Sequence, residues 1–151
     1  MRLSIISALN RFFIFAFLVC ALCVMAHEAV ADNISLPEGK WTGVYTYFQD
    51  DVRTPVEFSA ELFVEGDSFT GKFIERNTLG RKSTDWLSST VIGRVNGNDM
   101  TFLFMKKYNG QGGVSHAVFY KGEIDPQTFR VRGKWEINGL SGAFYMAPQV
   151  Y

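Results

Sequence analysis

Eight short runs of β-forming residues, separated by turn signals, follow one another along the chain after Pro37. The runs are rich in Phe, Tyr, Val, Thr and Ile, and several alternate apolar with polar residues, which is typical of strands with one buried face. No stretch between the runs shows a helical period. The predicted strands cover residues 40–48, 55–64, 68–76, 89–95, 100–108, 113–123, 128–137 and 142–147.

The turns between these runs favour a closed sheet. Asn96-Gly97 and Asn138-Gly139 are dipeptides that suit tight hairpins, and only residues 77–88 form a long connection. Short antiparallel strands with tight turns either stack as a sandwich or close as a barrel. Glycines inside the strands allow the bending that a small closed sheet needs. We therefore predict an all-β fold: a single up-and-down antiparallel eight-stranded β-barrel.

The first 31 residues have the pattern of a cleavable signal peptide. Arg2 and Arg11 precede an uncharged stretch at 12–26, and Ala29-Val30-Ala31 follows it. That stretch is shorter than the about 20 residues of a membrane-spanning helix. The prediction is a signal peptide at 1–31 and a β-barrel domain at 32–151. The protein would be exported, periplasmic or secreted, with a bacterial source favoured and no stable membrane anchor after cleavage.

Cysteine and charge content exclude several kinds of partner. Cys20 and Cys23 both lie in the predicted signal segment, so the remaining chain has no disulfide and no thiolate metal site. Loss of that segment leaves 13 basic and 14 acidic residues, which gives no long-range attraction to nucleic acid or to an anionic membrane. We predict no metal, no cofactor and no nucleic-acid partner. The oligomeric state stays open.

The first predicted strand opens with Gly39-Lys40-Trp41. This Gly-x-Trp start, followed by a meander of strands, resembles the calycin barrels, which comprise lipocalins, avidin-like proteins and small bacterial relatives. The resemblance implies that Trp41 plugs the closed end of the barrel.

The same tripeptide recurs near the other end of the folded region as Gly133-Lys134-Trp135. In an up-and-down barrel the first strand lies beside the closing strands, so we expect Trp135 and the first tryptophan to point inward and to meet near one end. Both are predicted structural plugs.

Aromatic side chains supply the candidate ligand site. An eight-stranded barrel is just wide enough to be filled by side chains or to hold one small ligand. The many large rings favour a filled core, with any ligand space shallow and close to the open mouth. Tyrosine and tryptophan would line that space, because each combines an apolar face with a hydrogen-bond donor. The candidate ligand-binding residues are Tyr45, Tyr47, Trp86, His116 and Tyr120.

His116 is the only histidine after the predicted signal segment. It alternates with Val114, Val118 and Tyr120, which favours an inward direction. It is either an acid–base or hydrogen-bonding group in the cavity, or a core or rim histidine with a structural role. No motif of nucleophilic, metal-dependent or nucleotide-dependent catalysis is present. We predict a protein that is not an enzyme.

Two other features suit a protein partner. Trp86 falls in the long connection, where it would be a lid, a contact residue or a plug over one barrel end. A group of basic residues from neighbouring strands would form one outer patch, or simply a solvated sheet face. The predicted patch comprises Lys106, Lys107, Lys121, Arg130, Arg132 and Lys134.

Three functions are therefore compatible with the sequence. The favoured one is an exported, non-catalytic, calycin-like barrel that binds a small apolar or amphipathic ligand at its mouth. The alternative is a periplasmic interaction or inhibitor protein that acts on an extracytoplasmic partner. The least favoured is a small hydrolase or isomerase that uses His116.

Overall fold

A computed structural model of the chain describes residues 34–48, 54–79 and 83–149. The predicted signal peptide at 1–31 lies outside these residues and stays a prediction.

Eight antiparallel strands close into a barrel. Each strand pairs with the next along the chain, and the first also pairs with the last, so the predicted eight-stranded up-and-down barrel is confirmed. A short 3₁₀ helix at Gln111–Gly113 precedes the sixth strand. The strands are β1 (Gly39–Tyr45), β2 (Val56–Glu65), β3 (Ser68–Arg76), β4 (Trp86–Asn96), β5 (Thr101–Tyr108), β6 (Ala117–Ile124), β7 (Val131–Ile137) and β8 (Leu140–Pro148).

Alternation of apolar and polar residues determines which side of each strand faces inward. In β2, Val56, Phe58, Ala60 and Leu62 are buried, whereas the residues between them are exposed. The hairpin between β7 and β8 uses the predicted Asn138-Gly139 turn, with φ of 48° and 80°. Positive φ at both central residues matches the twist of the flanking strands, which makes the two-residue connection possible.

The two ends of the barrel differ. At one end, which we call the closed end, the segment before β1 folds inward: Leu36 is buried, and Trp41 Nε1 donates to the Pro37 carbonyl at 3.1 Å. The other end, which we call the open end, is where β1, β3, β5 and β7 finish. Trp41 therefore lies where the calycin resemblance places the plug.

Aromatic rings fill the interior between the two ends. Phe69 and Phe102 stack with centroids 4.8 Å apart, and Phe104 and Tyr120 stack at 4.3 Å. Such ring pairs contribute about 0.5–1.5 kcal/mol each beyond the burial of their area. This filled interior agrees with the expectation from the aromatic content.

The two Gly-Lys-Trp tryptophans do not meet. Trp41 is paired with Pro148 of β8, whereas Trp135 is paired with Gly142, six residues earlier on the same strand. At about 3.3 Å per residue this separation is about 20 Å along β8. The strands of a closed barrel are tilted and staggered. Residues at similar positions in two strands can therefore lie at different heights along the barrel axis.

Several strand boundaries differ from the prediction, and two of these differences move a candidate residue. Trp86 begins β4 and pairs with Arg76, so it lies in a strand and not in the long connection. In β4, Trp86 and Ser88 alternate with the buried Leu87 and Ser89, which is the pattern of a strand with one inward face. His116 directly precedes β6, which begins at Ala117 and not at residue 113.

Candidate functional site

A cavity of about 250 Å³ lies at the open end of the barrel. Its walls come from the ends of β1, β5 and β7, the beginnings of β6 and β8, and the segments beside them. The lining residues are Tyr45, Tyr47, Leu79, Tyr108, His116, Val118, Tyr120, Trp135, Ile137, Asn138 and Leu140.

A buried ion pair lies among the residues at the base of this end. Lys106 Nζ donates to Glu75 Oε2 at 2.7 Å, and both side chains are almost fully buried. The removal of two charges from water is costly, and such a pair persists only where further hydrogen bonds satisfy the remaining groups.

Two tyrosines supply those hydrogen bonds. Tyr45 Oη donates to Glu75 Oε1 at 3.0 Å, and Tyr108 Oη donates to the same oxygen. The carboxylate therefore accepts from three donors, which belong to β1 and β5 while Glu75 belongs to β3. This network ties three strands together inside the barrel.

The ammonium of Lys106 is also held against aromatic rings. Its Nζ lies 4.8 Å from the ring centroid of Tyr45, 4.7 Å from that of Tyr108 and 5.6 Å from that of Tyr120. Cations within about 6 Å of a ring face are attracted by its quadrupole, and more strongly when they are desolvated. Lys106 thus neutralises Glu75 and occupies the ring faces around it.

Burial and the carboxylate change the acid–base behaviour of this cluster. Burial raises the pKa of Tyr45 and Tyr108 far above the ordinary value, and the charge of Glu75 raises both further. The pKa of Tyr120 is raised for the same reasons. Burial lowers the pKa of Lys106, and the attraction of Glu75 opposes that shift. The tyrosines accordingly remain protonated donors.

Three aromatic rings form a corner in the cavity wall. Trp135 lies edge to face with Tyr47 at 5.0 Å and with Tyr45 at 6.2 Å, and the two tyrosines are also nearly perpendicular. Trp135 Nε1 donates to the Thr46 carbonyl at 2.8 Å, which fixes the indole plane. The corner presents flat apolar surfaces in fixed directions.

Gly142 makes room for this indole. A Cβ at position 142 would overlap the Thr46 carbonyl oxygen and the Trp135 ring, although the backbone there has no positive φ. The glycine is therefore required by close packing and not by its conformation.

His116 lies at the rim of the cavity. Its imidazole packs edge to face against Tyr108 at 5.0 Å and is otherwise exposed. Partial burial lowers the pKa of His116 and the charge of Lys106 lowers it further, whereas the charge of Glu75 opposes the shift. Its backbone carbonyl accepts a hydrogen bond from the Tyr108 amide at 3.1 Å.

One buried hydroxyl beside the cluster lacks a hydrogen bond to any described residue. Ser89 Oγ is fully buried, and Ser89 is paired with Phe73 on one side and Tyr108 on the other. A buried hydroxyl without a partner costs about 1–3 kcal/mol.

The candidate residues from the sequence divide into two groups. Tyr45, Tyr47, His116 and Tyr120 line the cavity together, and Trp135, expected to be a plug, is in its wall. Trp86 lies on the outer surface, half exposed, with the Arg76 guanidinium 5.2 Å from its ring centroid.

The predicted basic patch is wrong at Lys106. This side chain is buried inside the barrel, whereas the other five members are exposed. The alternation of β5 already indicates the difference, because Phe102, Phe104, Lys106 and Tyr108 share one face. A charged residue on an otherwise aromatic face was the available signal.

Glu75 was not among the candidate residues predicted from the sequence. In β3 it shares a face with Phe69 and Phe73, which are both buried. A single charge near a strand end is usually solvated, so the sequence gives no reason to pair Glu75 with a lysine 31 residues later. The pairing depends on the register of β3, β4 and β5.

Over residues 34–48, 54–79 and 83–149, no group of three or more His, Cys, Asp or Glu side chains is arranged to hold a metal ion. Within the same ranges no helix has the length and apolar character to cross a membrane.

Comparison with known proteins leaves the family open. No protein-family profile matches the chain, and no curated protein matches it at a significant level. The eight-stranded up-and-down barrel is compatible with a calycin-like fold.

Proposed function

We propose that the protein is an exported, non-catalytic barrel of the calycin type that binds a small apolar or amphipathic molecule at its open end. The observation that carries this proposal is the aromatic cavity of about 250 Å³ above the Lys106–Glu75 pair. Concave, mostly apolar spaces with a few fixed polar groups are the usual form of small-molecule sites.

The architecture supports a binding role. Aromatic rings fill the barrel interior toward the closed end, and the open end offers the remaining space. The indole of Trp135 is held by Thr46, so its surface is prepared before a ligand arrives. Preorganised walls reduce the entropy lost on binding.

The cluster is better suited to binding than to catalysis. Glu75 already accepts from Lys106, Tyr45 and Tyr108, so its oxygens are committed to internal donors. His116 contacts the ring of Tyr108, and among the described residues no carboxylate accepts a hydrogen bond from its imidazole to orient it as a base. A hydrolase or isomerase that depends on His116 remains the least favoured hypothesis.

Native mass spectrometry of the protein purified from its own cellular compartment tests the binding proposal. We expect a bound small molecule, and a change of tryptophan fluorescence when it is removed and added back. Ile137→Phe, which narrows the cavity, should weaken binding. The matched control is Ile74→Phe on the exposed outer face. A clean apo mass, with no fluorescence response across a lipid and metabolite panel, would contradict the proposal.

The outer surface supports a second candidate, an interaction or inhibitor protein. Trp86 is half exposed on β4, and exposed Ile74 lies on the neighbouring strand. Exposed tryptophans are frequent contact residues in protein interfaces. A stoichiometric partner that is recovered from envelope extract, lost with Trp86→Ala and retained with Phe119→Ala would support this role. Equal recovery by both variants would contradict it.

A further inference from the structure

The hydrogen-bond directions at the base of the cavity restrict what can bind there. An ionised carboxylate has no hydrogen to donate, so the hydroxyl hydrogens of Tyr45 and Tyr108 must both point at Glu75 Oε1. Each phenolic oxygen then has only lone pairs left for another partner. Since both tyrosines line the cavity, we infer that these lone pairs are the acceptors available to a ligand there.

This direction is stable at physiological pH. Burial and the charge of Glu75 raise the pKa of Tyr45 and Tyr108, so both keep their hydrogens. Lys106 donates to the other carboxylate oxygen at 2.7 Å, which keeps Glu75 in an ion pair. The two tyrosines therefore cannot exchange roles with the carboxylate.

Charge favours an uncharged ligand. Lys106 compensates Glu75, and the lowered pKa of His116 favours the neutral imidazole at the rim. A cationic ligand would meet an ammonium that already holds the ring faces of Tyr45 and Tyr108. An anionic ligand would lose its hydration and face lone pairs, and an unpaired charge in an apolar site is costly.

Size and shape favour a flat ligand. The volume of about 250 Å³ is below the roughly 300–1,000 Å³ of sites for drug-sized molecules, so one or two fused rings would fit. The perpendicular faces of Tyr47 and Trp135 offer surfaces for edge and face contacts with such rings.

We propose that the cavity takes an uncharged aromatic molecule with one hydroxyl or N–H group, and that the hydroxyl oxygens of Tyr45 and Tyr108 accept its hydrogen. This inference rests on the proposed ligand-binding function and adds the chemical class of the ligand.

Three matched probes test the inference by isothermal titration calorimetry at pH 7: 2-naphthol, 2-methoxynaphthalene and 2-naphthoate. They share a ring system and differ in having a donor, no donor or a negative charge. We expect 2-naphthol to bind about tenfold more tightly than 2-methoxynaphthalene, since a single hydrogen bond of good geometry accounts for about that ratio. The carboxylate should bind most weakly.

Variants locate the donor contact. Tyr108→Phe removes one of the two acceptor oxygens and should reduce the preference for 2-naphthol over 2-methoxynaphthalene. The matched control is Tyr145→Phe in β8, whose neighbours Phe144 and Met146 face the core; it should keep the preference. Circular dichroism checks the fold of each variant, and Tyr45→Phe replaces Tyr108→Phe if the latter does not fold.

The outcomes distinguish failure of this inference from failure of the proposed ligand-binding function. Equal binding of 2-naphthol and 2-methoxynaphthalene, or tightest binding of 2-naphthoate, overturns the donor assignment and leaves small-molecule binding in place. Failure of all three probes to bind overturns the ligand class. A clean apo mass from the native source would remove the proposed function as well.

Discussion

Lys106 and Glu75 meet inside the barrel, where ammonium and carboxylate lie 2.7 Å apart and each side chain is 1% exposed. They belong to β5 and β3, so the pair spans the strand between them. Tyr45 and Tyr108 complete the surroundings of the carboxylate. The polar cluster is thus part of the core and forms the base of the candidate site.

Removal of one member of the Lys106–Glu75 pair should destabilise the fold, because the other charge is left buried without a partner. Lys106→Met leaves Glu75 as an uncompensated buried charge, which is expected to lower the free energy of unfolding by about 3–5 kcal/mol. Urea denaturation measures it, with Lys107→Met on the exposed neighbour as control. The double variant Lys106→Met/Glu75→Gln should recover most of the loss. A single variant as stable as the control would contradict a buried ion pair.

Alkaline pH should destabilise the fold through the tyrosines. Burial raises the pKa of Tyr45, Tyr108 and Tyr120 above 10.0, so their contribution is complete below about pH 10 and is lost as pH rises beyond it. Each tyrosine contributes a slope of up to about 1.4 kcal/mol per pH unit. The lowered pKa of Lys106 has the opposite effect below 10.5, but one lysine opposes three tyrosines.

Thermal unfolding between pH 8 and 11.5, together with tyrosinate absorbance, measures this effect. Of the six tyrosines in the chain, these three should ionise only when the protein unfolds. Their ionisation in the folded protein, before any loss of structure, would contradict the burial of their hydroxyls.

Ser89→Ala should not destabilise the barrel. Its buried hydroxyl has no partner among the described residues, so loss of the oxygen removes an unsatisfied group. We expect the free energy of unfolding to rise by about 1 kcal/mol. Ser59→Ala on an exposed position of β2 is the control and should change little. A loss of more than about 1 kcal/mol would mean that Ser89 has a partner, such as a buried water.

Gly142→Ala should displace the indole of Trp135. The new Cβ overlaps the Thr46 carbonyl and the indole ring, so the hydrogen bond from Trp135 Nε1 cannot persist. Overpacking of this kind costs about 1–3 kcal/mol. The indole N–H resonance of Trp135 should move or broaden in NMR spectra.

Gly66→Ala is the control for Gly142→Ala. It introduces strain through a positive φ of 62° but meets no neighbouring atom. It should lower stability by about 1–2 kcal/mol and leave the Trp135 resonance in place. A similar resonance shift in both variants would contradict a local effect at Gly142.

The strand pattern could be predicted from sequence because alternation and turn chemistry act locally. The Asn138-Gly139 hairpin and the inward face of β2 follow directly from residue types. The start of β4 at Trp86 could not, since polar residues such as Ser88 and Thr90 suit an outward strand face as well as a loop.

The site was harder to predict because it depends on strand register. Tyr45, Tyr47 and Tyr120 were expected to line a cavity from their type and position, and they do line one. Glu75 and Lys106 were not expected inside the barrel, because charged side chains are rarely buried unless they are paired. Only the pairing of β3, β4 and β5 brings the two charges together.

The segment that covers the closed end also determines where a fusion partner or tether can be attached without blocking the cavity. Leu36 is buried there, and the amide of Gln149 donates to the Lys40 carbonyl at 2.8 Å, so both ends of the described barrel leave it on the side away from the cavity. A fusion partner or a surface tether attached directly before residue 34 or after residue 149 would leave the open end free. Because Gln149 contacts Lys40 at the start of β1, a circular permutant that links Gln149 to the segment before β1 and opens the Asn138-Gly139 turn keeps every strand intact.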